Sequence, residues 1–175
     1  MSNAMKNKKI KAFKWNGQSV STIENCHMSS ADFNSSDLQQ IVISDSHLTS
    51  IDLSKALLGS SQISHSNLSK AKMSWTNMAQ TKAFRVNLSK ATLDCASLAH
   101  ADLQECHLKE TDLSFANLRE TTLLRCDLRG ANLEDADLTL TKFEECNLKG
   151  ARFNYRTRLP FSRDMATKMG MIETR

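Results

Sequence analysis

Small and hydrophobic residues recur with a period of five from position 21 to position 155. In each unit a small residue comes first, Asp or Asn often comes second, and Leu or Phe usually comes third. These third residues, called centres below, fall at every position ending in 3 or 8 from Ile23 to Phe153, which gives 27 units without an insertion. They comprise 17 Leu, 3 Phe, 3 Met, 3 Ile and Ala83. A period of five fits neither a helix nor an alternating strand. It predicts a coil that turns a corner every five residues and points two of each five inward.

The unit is clearest between Ala101 and Phe153, where it reads Ala-Asp-Leu-Gln-Glu, Cys-His-Leu-Lys-Glu and Thr-Asp-Leu-Ser-Phe in succession. This pattern resembles the A(D/N)LXX motif of the pentapeptide-repeat family, and the resemblance covers residues 21–155. It implies an all-β fold, a right-handed quadrilateral β-helix with four units per coil and about seven coils. Members of that family do different things, so the resemblance predicts architecture rather than function.

Both ends of the chain depart from the repeat. Residues 1–4 are interpreted as the remnant of an expression tag. Residues 5–20 form a basic N-terminal segment, in which Phe13 and Trp15 are predicted to cover the first coil.

Residues 156–175 are predicted to form a short capping helix and a tail. Ser162 can cap the N-terminus of that helix and Gly170 can end it. Met165, Ala166 and Met169 are then expected on one side, covering the last coil. A homodimer contact built on this helix is the alternative interpretation.

The charge of the chain is concentrated at its ends. The formal net charge is +4, but residues 5–20 carry five Lys and no acidic residue, while residues 21–155 carry 13 basic and 17 acidic residues. A nucleic-acid interface needs basic residues clustered on one continuous face, so the mildly acidic body argues against nucleic acid as a partner. No apolar run approaches the length of a membrane span. The cytoplasm is the expected location, with secretion as a bacterial effector as the alternative.

Residues 20 apart should stack in columns, because one coil is 20 residues long. Four of the five cysteines share an inward column: Cys26, Cys106, Cys126 and Cys146. A straight ladder offers no tetrahedral zinc cage, and stacked Cβ atoms about 4.8 Å apart exceed the usual disulfide separation of about 3.8 Å. Reduced structural cysteines are therefore predicted. His27, His47 and His107 share the next outward column with Asp and Asn residues, which are expected to bond backbone amides. No metal and no cofactor are predicted.

Two outward columns are candidates for binding. The first contains Trp75, Cys95, Phe115 and Tyr155, and aromatic residues in one patch often mark an interface. The second is a basic strip that could take a phosphate group: Lys70, Lys90, Lys109, Arg129 and Lys149. Phe84 and Leu124 also stand outward, although Phe84 could instead turn inward to fill the space beside Ala83. A further column, from Asp45 to Glu145, alternates in charge and predicts a surface charge ladder.

The chain contains none of the common catalytic or nucleotide-binding motifs, and a convex rod with a filled core offers no deep cleft. It is therefore predicted to be non-catalytic. The leading hypothesis is an interaction module that presents a rigid β-helical surface, centred on Trp75 and Phe115, to a protein partner or to a second copy of itself. The alternative is a DNA-mimicking regulator of DNA gyrase, as in the quinolone-resistance members of the family. The weakly acidic body and the unbroken repeat count against that alternative.

Overall fold

Parallel strands stacked along one axis form the protein. The computed structural model describes residues 4–9 and 20–175. Eight short strands form one parallel sheet in chain order: β1 (Ala4–Lys6), β2 (Thr22–Glu24), β3 (Val42–Ser44), β4 (Gln62–Ser64), β5 (Lys82–Phe84), β6 (Asp102–Gln104), β7 (Thr122–Leu124) and β8 (Lys142–Glu144). From β2 onward, each strand pairs with the strand 20 residues later, as Ile23 does with Ile43. The predicted all-β solenoid is confirmed, with about eight turns because β1 adds a strand before the repeat.

The four sides of a coil are not equivalent. The strands β1 to β8 lie on one side, called the strand face. The other three sides are joined from coil to coil by single parallel bridges, such as Asn67 with Asn87 and Asn77 with Ser97. On every side the centre and the residue two positions before it point inward, and nearly all of them are buried. The prediction of two inward residues in each five is confirmed. Each coil buries its apolar side chains against its neighbours, so stability depends on stacking.

The corners of the coils have an unusual backbone conformation. Every fifth residue from Asn25 to Gly150 has a positive φ, between 46° and 75°. This left-handed region is costly for residues with a branched Cβ. Val, Ile and Thr are absent from all of these corner positions. The corner therefore restricts residue type at a position where the side chain is outward.

Hydroxyl and thiol groups in the inward columns bond to the preceding coil. The Thr121 hydroxyl donates to the Leu98 carbonyl oxygen at 2.7 Å, and the Cys126 thiol donates to the Leu103 carbonyl oxygen at 3.3 Å. Cys146 does the same with Leu123 at 3.2 Å. All five cysteines are free. The prediction of reduced cysteines in the inward column is confirmed, and these cysteines take the place of threonine.

The Asp and Asn residues that precede the centres stabilise the turns. Twelve of them accept a hydrogen bond from the backbone amide two residues later, at 3.0–3.2 Å: Asp32, Asp37, Asp52, Asn67, Asn77, Asn87, Asp112, Asn117, Asp127, Asn132, Asp137 and Asn147. All twelve lie on the three sides other than the strand face. Asp102, on the strand face, instead accepts from the side chain of Gln104. The structural role predicted for these residues is confirmed.

At the N-terminal end, β1 pairs with β2 in a register of 18 rather than 20 residues, with Met5 opposite Ile23. Strand β1 begins at Ala4, inside the segment interpreted as a tag remnant. The predicted cap residues Phe13 and Trp15 lie outside the described residues.

At the C-terminal end, the helix α1 (Arg163–Lys168) is followed by β10 (Ile172–Glu173), which pairs with β9 (Arg152–Phe153). Ser162 caps the helix by accepting a hydrogen bond from the Met165 amide, as predicted. Ala166 is fully buried and Met169 packs on the core. The expectation for Met165 is wrong: its side chain is 49% exposed, because it lies on the outer side of the helix.

Candidate interaction surface

The most exposed aromatic residues lie along one corner of the solenoid. We call this corner the aromatic column: Ser35, Lys55, Trp75, Cys95, Phe115, Asp135 and Tyr155. Trp75 is 64% exposed and Phe115 is 59% exposed. Cys95 lies between them and is half-buried. Successive corners are about one strand spacing apart, roughly 4.8 Å. The structure therefore brings Trp75, Cys95 and Phe115 together as three adjacent outward residues, as the sequence predicted.

The backbone holds these side chains in place. The amides of Trp75, Cys95 and Phe115 donate to carbonyl oxygens of the following coil at 3.0, 2.9 and 3.0 Å. All three residues have φ between 57° and 62°. A left-handed conformation costs a non-glycine residue about 1–2 kcal/mol, and the exposed rings recover little of that cost through burial in the core.

Charged residues flank the aromatic residues at equal distances. Lys55 stands one coil before Trp75, and Asp135 stands one coil after Phe115. The Asp135 carboxylate accepts from the Asn154 side chain at 3.0 Å and lies 3.5 Å from Arg156. Tyr155, 64% exposed, ends the column with the Arg156 guanidinium over its ring. The column thus has a basic end and an acidic end.

One side that adjoins the aromatic column is flat and uncharged at mid-length. Its outward residues there are short, and we call them the small-residue face: Asn77, Ala79, Ser97 and Ala99. A partner that touches the aromatic column can therefore also approach the backbone of this face closely.

The Cys95 thiol is poorly activated. Burial raises its pKa, and the carboxylates of Asp94 and Asp112 raise it further. A thiol with a raised pKa is mostly protonated at neutral pH and a weak nucleophile. Inside the solenoid, hydrogen bonding to Cys106 raises the pKa of Cys126 to about 12. These groups do not form a reactive thiol site.

The basic strip contains acidic residues. Glu110 lies 3.4 Å from Lys90 and 3.5 Å from Lys109, and Asp127 lies 2.6 Å from Arg129. Three of the five basic residues predicted to bind phosphate are therefore already paired with carboxylates. The strip, including Lys70 and Lys149, stays a prediction with less support than the sequence suggested.

The alternating charge ladder is confirmed. Glu105 lies 2.7 Å from Arg85 and 3.4 Å from Arg125, which in turn lies 3.4 Å from Glu145. The hydrogen bond from Arg85 holds the Glu105 pKa below its ordinary value of 4.5. The ladder places both signs of charge on one corner.

Phe84 stays on the outer surface, so the alternative in which it turns inward is wrong. Its ring meets the His65 ring edge-on at 5.3 Å and lies under Arg85 at 4.8 Å. The small Ala83 side chain beside it contributes to a surface depression of about 230 Å³. Leu124 is also half-buried on the strand face. These contacts occupy Phe84 within the chain, unlike Trp75 and Phe115.

His27 and His47 stack with their ring centroids 4.5 Å apart. Within residues 4–9 and 20–175, no three His, Cys, Asp or Glu side chains are grouped so that they could hold a metal ion. Nor does any helix in the described part of the chain have the length and hydrophobicity of a membrane span.

Comparison with known proteins agrees with this geometry. The sequence model of the pentapeptide repeat region matches residues 84–153. HetL, a pentapeptide repeat protein involved in heterocyst differentiation regulation in the cyanobacterium Nostoc sp. strain PCC 7120, is 21% identical; the alignment covers 96% of this chain and 84% of HetL, with a TM-score of 0.54. QnrB1, a plasmid-mediated fluoroquinolone resistance protein, is 14% identical, with 98% of this chain and 93% of QnrB1 covered and a TM-score of 0.60.

The pentapeptide repeat protein alr5209 from Nostoc PCC 7120 is 30% identical, and the alignment covers 62% of this chain and 84% of alr5209, with a TM-score of 0.49. None of the curated proteins compared with the chain matches it. The uninterrupted five-residue register, the matched repeat region and the solved solenoids lead to one assignment: the chain belongs to the pentapeptide-repeat family.

Proposed function

We propose that the protein is a non-catalytic interaction module whose aromatic column binds a protein partner. The observation that carries this proposal is the exposure of Trp75 and Phe115, 64% and 59%, on adjacent parts of a hydrogen-bonded corner. Rigid aromatic side chains are frequent energetic centres of protein interfaces. A backbone that is already ordered loses little conformational entropy when a partner binds.

Other features of the surface support a binding role over catalysis. The twelve Asp and Asn residues that could look like acid–base groups are engaged with backbone amides. The depression beside Phe84 is shallow and lies on the strand face, away from the aromatic column.

The DNA-mimic alternative has less support. Mimicry of a duplex requires a surface of mainly negative charge, whereas the charge ladder alternates between Arg and Glu. Likeness to QnrB1 at 14% identity concerns the fold alone. An absence of any effect on gyrase supercoiling at micromolar protein would be the expected result.

The test is a pull-down from host lysate with the wild-type chain and the double variant Trp75→Ser, Phe115→Ser. Leu140→Ser is the matched control, since Leu140 is 62% exposed and has the same left-handed backbone at a different corner. We expect the control to retain the captured protein and the double variant to lose it, with unchanged circular dichroism for both. Equal capture by all three chains would refute the proposed surface.

A further inference from the structure

The aromatic column has a symmetric order of side-chain types about Cys95. Read along the corner, it presents a cation, an aromatic ring, a thiol, an aromatic ring and an anion: Lys55, Trp75, Cys95, Phe115 and Asp135. Each step is one coil of 20 residues, and so roughly 4.8 Å. Lys55 and Asp135 therefore lie at equal distances from Cys95, on opposite sides of it.

Such a column is complementary to itself when one copy is inverted. We propose that the partner of the aromatic column is a second copy of this chain, packed antiparallel about a two-fold axis that passes at Cys95. This inference rests on the proposed function of that surface and names its partner. A two-fold interface uses the same patch on both subunits, so each contact occurs twice.

The pairing that results matches both charge and shape. Trp75 of one copy faces Phe115 of the other, and Lys55 of one copy faces Asp135 of the other. Aromatic pairs gain about 0.5–1.5 kcal/mol beyond the area that they bury. Opposite charges at an interface also fix the register and the orientation of the partners.

Other registers are worse because they leave charges unmatched. An axis at Trp75 places Phe115 against Ser35, and an axis at Phe115 places the Asp135 carboxylate against Cys95. A parallel arrangement, with the axis along the solenoid, sets Lys55 against Lys55 and Asp135 against Asp135. Such mismatches disfavour the alternative pairings.

The small-residue face permits the approach. In the antiparallel arrangement this face lies opposite its own copy, with Ser97 opposite Ser97, Ala99 opposite Ala99 and Asn77 opposite Asn117. Ala79, Ser97 and Ala99 are half-buried and uncharged. The contact can then extend from the corner onto an adjoining flat side.

The experiment is sedimentation equilibrium of the purified full chain over a range of concentrations, under reducing conditions, with charge-reversal variants. We expect the wild-type chain to dimerise. Lys55→Asp and Asp135→Lys should each weaken dimerisation at least tenfold, since each creates two like-charge pairs. The double variant Lys55→Asp, Asp135→Lys restores opposite charges and should restore the dimer. Lys70→Asp, on another corner, is the control and should have no effect.

A second measurement locates the axis. A short bismaleimide should link Cys95 of one copy to Cys95 of the other, and Cys95→Ser should abolish the linked dimer. Thermal unfolding of Asp135→Lys checks that loss of its contact with Asn154 has not unfolded the chain.

A monomer at every concentration, or a dimer that the reversals leave unchanged, overturns the inference. If the chain is monomeric while Trp75→Ser, Phe115→Ser still abolishes capture of a host protein, the proposed function stands and self-association fails. If the aromatic double variant changes neither capture nor dimerisation, both fail.

Discussion

The Thr121 hydroxyl donates a 2.7 Å hydrogen bond to the carbonyl oxygen of Leu98, which precedes it by 23 residues. That carbonyl also accepts from the Ala101 amide at 3.0 Å. The Thr121 bond therefore joins one coil to the preceding one inside the core, without being the sole partner of the carbonyl.

Replacement of Thr121 by Val keeps the side-chain volume and removes this donor. We expect a loss of about 1 kcal/mol in the free energy of unfolding, the usual value of one buried hydrogen bond. Urea denaturation would measure it. Thr121→Cys is the control, because Cys126 fills the equivalent position in the next unit and still donates. If Cys and Val destabilise the chain equally, the hydrogen bond is not the cause.

The turn-stabilising role of Asn can be separated from its polarity. Asn87 accepts from the Ser89 amide at 3.0 Å, and Asn87→Ala should cost about 1 kcal/mol of unfolding free energy. Asp102 occupies the same place in its unit but lies on the strand face. Asp102→Ala should change stability by less than about 0.5 kcal/mol, as most surface substitutions do. The reverse order of the two effects would contradict this assignment.

The corner conformation predicts a strong preference against branched residues. Gln40 has a φ of 59°. Gln40→Val should be less stable than Gln40→Gly by about 1–2 kcal/mol, because a side chain branched at Cβ is strained in the left-handed region and glycine is not. Comparison of the urea midpoints of the two variants tests the difference. Identical midpoints would show that the corner tolerates branching.

The charge ladder predicts a dependence on pH. The pKa of Glu105 is lowered in the folded chain by the hydrogen bond from Arg85. Its contribution to stability is therefore complete above the ordinary pKa of 4.5 and is lost as the pH falls through the lowered folded value. Glu105→Gln should be less stable than the wild-type chain at pH 7, and the difference should vanish in strong acid. High salt should also reduce it. A difference that persists at low pH would point to packing instead.

The five-residue period alone predicted most of the fold. Because inward positions recur without an insertion, residues such as Cys106 and Cys126 could be assigned to one column before any coordinates. The outward position of Trp75 and Phe115 followed from the same register. The ladder of Arg85, Glu105 and Arg125 followed as well.

Other features depend on backbone geometry that the period does not reveal. The register of β1, with Met5 opposite Ile23, differs by two residues from the repeat, so counting in fives could not find it. Met165 was misplaced because several faces of a six-residue helix satisfy the same spacings.

Two signals were present in the sequence and were not used. Of the seven units that form the strand face, only the one centred on Leu103 has Asp or Asn before its centre. This marks the side where strands replace turns. The absence of Val, Ile and Thr from every corner between Asn25 and Gly150 likewise indicates a left-handed conformation.

The 20-residue coil also sets how the molecule can change its length. Removal or duplication of one whole coil keeps every remaining column intact and alters the rod by about 4.8 Å. Removal of a single five-residue unit instead rotates all later residues by one side. Loss of one coil between Lys55 and Cys95 would displace that charge relative to Asp135 while the fold survived. The chain thus behaves as a ruler with fixed divisions, on which the spacing of surface groups changes only in whole steps.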